Sequence, residues 1–410
     1  NIVLGNALVD MYAKCGLLAK AQQVLEELPV RDIVSWSALI TGYAHGGQGH
    51  EALECFAQMQ REGHFPTDVT FICALKACGS IGAIDNGKQI HDQIVNWGLL
   101  DKSIMVGNVL VDMYAKCGVL SEARLVLEGL PVRDVVSWNA LIAGYAQAEK
   151  GGNEVMNCFV KMQREGITPN MITFTSILKA CGNIGAIDKG QQIHEHLLNG
   201  CMLEHNIVLG TALVDMYAKC GVLSKAQEML EQLPVRNIIS WNSLIAGYAQ
   251  EGHCHEVLKC FEQMQKEGFV PDEVTFLSML SACSHSGKFD EAQWYYENMS
   301  RVYGIAPKLE HHTCMVVIFG CAGRFEKAMS VMKTMPSTSD PSVWLAFLSS
   351  CKKWGNVALG RLAFDEVMHQ DMNIPAAYIL MADIYAAAGM QKDAETIDAL
   401  RVEKCCTWKK

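Results

Sequence analysis

The chain runs to 410 residues, half of them apolar and 19% charged, with a formal net charge of −10. That composition suffices to bury a long core, and it holds no run of eighteen apolar residues that could span a membrane. So acidic a chain also lacks the basic surface of a protein that grips nucleic acid by its phosphates.

From the N-terminus, Leu8, Met11, Tyr12 and Cys15 fall on one helical stripe that Gly16 stops. Leu18, Ala21, Val24, Leu25 and Leu28 form a second stripe, closed by Pro29. The word LVDMYAKCG at Leu8–Gly16 then returns at Leu110–Gly118 and Leu213–Gly221, steps of 102 and 103 residues. LPVR begins at Leu28, Leu130 and Leu233, and Ser-Trp pairs at Ser35, Ser137 and Ser240 keep the same period. Each period divides into three similar pieces: 2–32, 33–67 and 68–103, then 104–134, 135–170 and 171–206, then 207–237, 238–272 and 273–308. A tenth piece, 309–340, precedes an irregular tail, 341–410. Pro66, Pro169 and Pro271 are expected to end second helices. No hairpin of this kind buries its stripe alone, so neighbours must stack. The expectation is an all-α array of helix-turn-helix repeats, with function on the inner surface of a solenoid.

Seventeen cysteines are present, and several recur with the motif: Cys15, Cys117 and Cys220, then Cys78, Cys181 and Cys283. They read as buried reduced thiols in a reducing compartment. Asn1 stands where an initiator Met would, which reads as a piece of a longer protein. Chemistry is not visible in the motifs. A zinc deaminase needs H-x-E and P-C-x-x-C, and neither His194-Glu195-His196 nor His253-Cys254-His255-Glu256 supplies the first. His311, His312 and Cys314 sit on successive helical positions that point apart. The chain is expected to be no enzyme, and to hold no metal or cofactor.

The words VDMYAKCG, VSWNALIAGYAQ, FTSILKACGNIGAIDKGQQIH and LEHHTCMVV, in pieces of 31, 35 and 36 residues, resemble plant pentatricopeptide-repeat proteins that alternate short, standard and long repeats. Tetratricopeptide repeats fit less well, because Ile142 stands between Trp138 and Tyr145 where that family places Gly. The tail, with DPSVWLAFLSSC, AAYILMADIYAAAG and the terminal EKCCTWKK, is similar to the extension of organellar RNA-editing factors. The resemblance implies a right-handed α-solenoid that binds single-stranded RNA, one base per repeat. It implies a mitochondrial or chloroplast protein that selects sites for C-to-U editing, with a cytidine deaminase or other editing proteins recruited through 341–410 or a deaminase domain lost. Transcript stabilisation or processing, and a protein–protein scaffold, stand as alternatives.

By the same resemblance, the fifth and last residues of a repeat read the base. Short repeats pair Asn6 with Asp32, Asn108 with Asp134, Thr211 with Asn237 and Thr313 with Asp340. Standard repeats pair Ser37 with Thr67, Asn139 with Asn170 and Asn242 with Asp272; long repeats pair Ile72 with Ser103, Thr175 with Asn206 and Leu277 with Lys308. The chemistry is sensible in itself. A carboxylate only accepts hydrogen bonds and suits the ring N–H of uracil or guanine; an amide can donate to the ring nitrogen of adenine or cytosine. The implied order from the 5′ end is U, two unread, U, C or U, A, A, U, one unread, G, with the edited cytidine four nucleotides beyond. Apolar second residues, Val34, Val136, Ile172, Val208, Ile239 and Val274, would sandwich the bases, whereas Glu310 departs from that pattern. The local alternatives are a helix cap for the last residue and core packing for the second.

Overall fold

The computed structural model describes residues 2–148, 151–203, 206–335 and 340–405; Asn1 and residues 406–410 of the EKCCTWKK segment lie outside them. The described elements are all helices, and they come in hairpins. First helices are Ile2–Lys14, Ile33–His45, Asp68–Ile81, Ile104–Lys116, Val135–Gln147, Met171–Ile184, Ile207–Lys219, Ile238–Gln250, Glu273–His285 and Leu309–Cys321. The second helices have two lengths. Leu18–Glu27, Leu120–Gly129, Leu223–Gln232 and Phe325–Thr334 have 10 residues, whereas Gly49–Arg61, Gly152–Arg164 and Cys254–Lys266 have 13. That shorter second helix accounts for much of the difference between short and longer repeats. The tail continues the theme with Pro341–Trp354, Val357–Gln370, Pro375–Ala387 and Gln391–Cys405.

Helix starts follow from their caps. Asp32, Thr67, Asp134, Asn170, Asn237 and Asp272 each accept from the backbone N–H three residues on, and the Ser or Thr there accepts from the cap's own N–H. This satisfies two otherwise orphaned donors, a gain of about 1 kcal/mol per helix. Gly16, Gly118 and Gly221 stop the first helices at φ 73°, 77° and 74°, a conformation that costs other residues energy. The prolines do less than the sequence reading assigned them. Helices end at Arg61, Arg164 and Lys266, before Gly63, Gly166 and Gly268 at φ 84°, 74° and 86°, so Pro66, Pro169 and Pro271 lie beyond the stop.

The chain forms two compact units, Asn1–Met216 and Tyr217–Lys410. In each, first helices pack on the first helices of the next hairpin, and second helices pack against the first helices on either side. Close approach is possible because Gly144 faces Ala115 and Gly247 faces Ala218, where an added Cβ would lie 2.8 Å from the alanine Cβ. Phe71, Phe174 and Phe276, with Met59, Met162 and Met264, fill equivalent core positions at no more than 1% exposure. Each contributes about 1.5–3 kcal/mol of apolar burial. Two expectations need correction. Met11 is 44% exposed where Met113 and Met216 are buried. Cys78, Cys181 and Cys283 are buried, but Cys117 and Cys220 are half-buried and Cys15 is exposed, at the helix end rather than between helices.

Candidate nucleic-acid interface

The last residue of a repeat does two jobs with two different atoms. Asp32 Oδ1 accepts from the backbone N–H groups of Val34 and Ser35 at 3.0 and 2.9 Å, and Asp134 Oδ1 from Val136 and Ser137 at 2.9 Å each. Asp272 Oδ1 accepts from Thr275 N at 2.9 Å. These are the cap bonds. The fifth residue, placed more than two turns of chain away in sequence, meets the same carboxylates. Asn6 Nδ2 donates to both Asp32 oxygens at 3.0 and 2.9 Å, Asn108 Nδ2 to Asp134 at 3.1 and 3.2 Å, and Asn242 Nδ2 to Asp272 at 2.9 and 3.0 Å. Oδ2 of each aspartate therefore receives only the asparagine amide and keeps lone pairs for an incoming N–H. Burial raises the Asp32 carboxyl, but the Ser35 N–H and the Asn6 amide outweigh it and hold its pKa below the usual 3.8.

Asparagine at the last position reverses the polarity. Asn170 Oδ1 accepts from Thr173 N at 3.1 Å and Asn139 Nδ2 at 3.0 Å; Asn237 Oδ1 accepts from Ser240 N at 2.8 Å. Their Nδ2 groups make no hydrogen bond among the described residues, so each offers a donor. Thus capping uses one polar group of the last residue and leaves another over, so the cap alternative holds without excluding a second role.

Not every implied pair is joined. Ser37 Oγ donates to Ile33 O and Thr67 Oγ1 accepts from Thr70 N at 3.3 Å, without a bond to one another. Thr175 Oγ1 turns to Met171 O at 2.6 Å, and Asn206 Oδ1 accepts from Leu209 N at 3.1 Å. Thr211 Oγ1 is buried without a partner. Thr313 Oγ1 donates to Leu309 O, and Asp340 caps its helix through Ser342, whose hydrogen bonds lower the Asp340 pKa. Thr313 and Asp340 nevertheless line one groove of about 560 Å³ with Leu309, Glu310 and Ser281, a size suited to a small organic group. Ile72 and Leu277 offer no hydrogen bond, Ser103 makes no side-chain cap, and Lys308 is ion-paired with Glu273.

The second residues are on the surface, which removes the core-packing alternative. Val34, Val136, Ile172, Val208, Ile239 and Val274 are 51–62% exposed. Val69 at 54% and Met105 at 61% occupy the same position and went unrecognised in the sequence, although counting two residues from each repeat start finds them. Repeated cations are committed elsewhere: Arg31, Arg133 and Arg236 pair with Glu62, Glu165 and Glu267. His311 replaces the Ser or Thr of the cap, accepting from Lys308 N at 3.2 Å and meeting Glu273 O, while His312 bonds Tyr296. One cluster was not legible beforehand. Ligand atoms of Cys254, Cys283 and Glu291 lie within 4.8 Å of one another. Glu291 already pairs with Lys288 at 3.2 Å, and burial, then Cys254, pushes the Cys283 thiol up to about 12. A Cys283 thiol raised that far stays protonated at neutral pH.

A model described as "PPR repeat family" matches residues 31–80, 133–183 and 236–285, and one described as "PPR repeat" matches 6–33, 211–238, 274–302 and 310–337. The chain is 39% identical over 403 residues to the Arabidopsis thaliana pentatricopeptide repeat-containing protein At4g38010, covering 98% of this chain and 71% of that protein. It is 37% identical over 385 residues to the A. thaliana protein At1g06140, mitochondrial, covering 94% and 68%. Against At4g33990 of the same plant it is 37% identical and spans 48% of the relative's length. Among solved structures, pentatricopeptide repeat protein PPR10 in complex with an 18-nt psaJ RNA element superposes with a TM-score of 0.73, 16% identity and coverage of 97% of this chain and 60% of that one. That likeness is one of fold, the α-solenoid. The repeat words, the matched models and these relatives agree: the chain belongs to the pentatricopeptide-repeat family.

Proposed function

We propose that this chain is a sequence-specific binder of single-stranded RNA that reads one base per repeat and marks sites for C-to-U editing in organellar transcripts. The observation that carries it is the bonded fifth–last pair, in which one polar group caps the helix and one is left over. With Asp the spare group is an acceptor, fitting uracil or guanine; with Asn it is a donor, fitting adenine or cytosine. Exposed apolar second residues give each base a surface to lie on. In support, the solenoid of PPR10 holds an RNA element, and some relatives are named as mitochondrial. The alternation of short, standard and long repeats and the two hairpins of 341–405 support the editing assignment. In that assignment the tail recruits a cytidine deaminase in trans, in a mitochondrion or chloroplast, and the chain itself performs no catalysis.

The test is filter binding with a ten-nucleotide RNA, U-N-N-U-Y-A-A-U-N-G, against its scrambled version. Preference for the ordered RNA is expected, and equal binding sinks the reading. Because the repeated arginines are paired, few phosphates are neutralised. The logarithmic salt slope should be shallower than about −2, the value for about three phosphates on a single strand.

A further inference from the structure

Three pairs in this chain carry the same two residues, Asn6–Asp32 and Asn108–Asp134 in short repeats and Asn242–Asp272 in a standard one. A pairwise rule assigns them equal readout. The hydroxyl of the third residue of the next repeat is bonded differently among them. Behind Asn242 lies Thr275, fully buried, whose Oγ1–H has two acceptors, Asn242 Oδ1 at 2.7 Å and Asp272 Oδ1 at 2.9 Å, the amide oxygen being the nearer. Thr173 Oγ1–H likewise meets Asn139 Oδ1 at 2.6 Å, with Asn170 Oδ1 farther off at 3.2 Å. Behind Asn108 and Asn6 the corresponding residues are Ser137 and Ser35. Their hydroxyls donate instead to Asp134 O and Asp32 O, each at 2.8 Å. The carbonyl oxygens of Asn108 and Asn6 are left buried with no partner.

We propose that the third residue of the long repeats 171–206 and 273–308 is a positioning residue for the repeat before it: Thr173 and Thr275 lock the amides of Asn139 and Asn242 at their oxygens, whereas Asn6 and Asn108 are held through Nδ2 alone. Thr70 of the long repeat 68–103 turns to Thr67 O and locks nothing. The inference rests on the RNA-reading function proposed above and deepens it. A locked amide has its NH2 aimed at the last-position residue, and its carbonyl is withdrawn from the base. Its remaining N–H presents one fixed donor to the pyrimidine edge. Rotating either amide breaks its Nδ2 bonds to the aspartate, but only the rotation of Asn242 also breaks a bond at its oxygen, so Asn108 adapts more readily to a mismatched base. A single net hydrogen bond of this kind corresponds to about a two- to tenfold change in an equilibrium constant. The eighth nucleotide should therefore be read more strictly than the fourth, although the reader residues are identical.

The experiment exchanges the two third residues. Thr275→Ser keeps the cap bonds, as Ser137 does, and should lower uridine selectivity at the eighth nucleotide about two- to tenfold while leaving the fourth unchanged. Ser137→Thr should raise selectivity at the fourth. Each selectivity is a ratio of affinities for two RNAs on one preparation, so a uniform loss of folded protein cancels. Asn242→Thr, which should move the eighth preference toward a purine, is measured in parallel. If Asn242→Thr moves the preference and the third-residue exchanges leave both ratios unchanged, the positioning role is wrong and the reading function stands. If Asn242→Thr also changes nothing, both fall.

Discussion

Two junctions at the same place in the repeat start the same helix with different side chains, and so separate folding from the proposed readout. At the first, Asn108 and Asp134 are bonded and Asp134 caps its helix. At the second, the corresponding residues are Leu277, which is apolar, and Lys308, which makes no cap bond and pairs with Glu273. Both junctions start a helix at the same point in the repeat. At the second, the cap is rebuilt by His311. The same helix start is thus kept with and without the bonded pair, and under the proposed function only the pair's chemistry would equip a repeat to discriminate.

The sharpest way to test the contrast is to invert the chemistry where it is present. Asp272→Asn keeps a capping oxygen but replaces the spare acceptor with a donor, so the eighth preference should pass from uridine to cytidine. The change should be worth about 1–3 kcal/mol, the range of one well-made base contact, read as competition between two RNAs. Melting should be little altered, because Asn170 caps with the same geometry.

The converse is to install chemistry where it is missing. Leu277→Asn together with Lys308→Asp should create uridine preference at the ninth nucleotide, by about 1 kcal/mol. The new cap should also stabilise the helix by about 0.5–2 kcal/mol. Stabilisation without any base preference would show that the long repeat holds its nucleotide out of reach. The smallest effect is protonic. Burial, then His311, holds His312 below the usual 6.5, and burial does the same to His91. A lowered folded pKa means that stability is complete above 6.5 and is lost as pH falls toward the folded value. The melting temperature should be lower at about pH 5.5 than at about pH 7.5, and His312→Gln should shrink that difference.

Much of the fold class was legible because the period is so strict: LVDMYAKCG and Ser-Trp recur too regularly for anything but stacked hairpins. Local stops were read less well. Pro66, Pro169 and Pro271 drew attention, yet the left-handed glycines three residues earlier had already ended each helix, and a proline beyond a stop has nothing left to break. The joining of Asn108 to Asp134 could be named only by resemblance, since nothing in a 26-residue separation predicts that two side chains share a bond. Less visible still was the threonine lock. Ser137 and Thr275 look interchangeable as cap partners, and only the rotamer shows that one turns to the backbone and the other to an amide.

The two oxygens of Asp134 carry a constraint on how such a chain can be retargeted. Because the side chain proposed to discriminate also starts the next helix, a last residue that caps by itself is drawn from Asp, Asn, Ser and Thr. Any larger or apolar residue that altered base preference would loosen the hairpin behind it, so new targets must be reached by shuffling four letters, with the loss of a letter compensated locally, as His311 does beside Lys308.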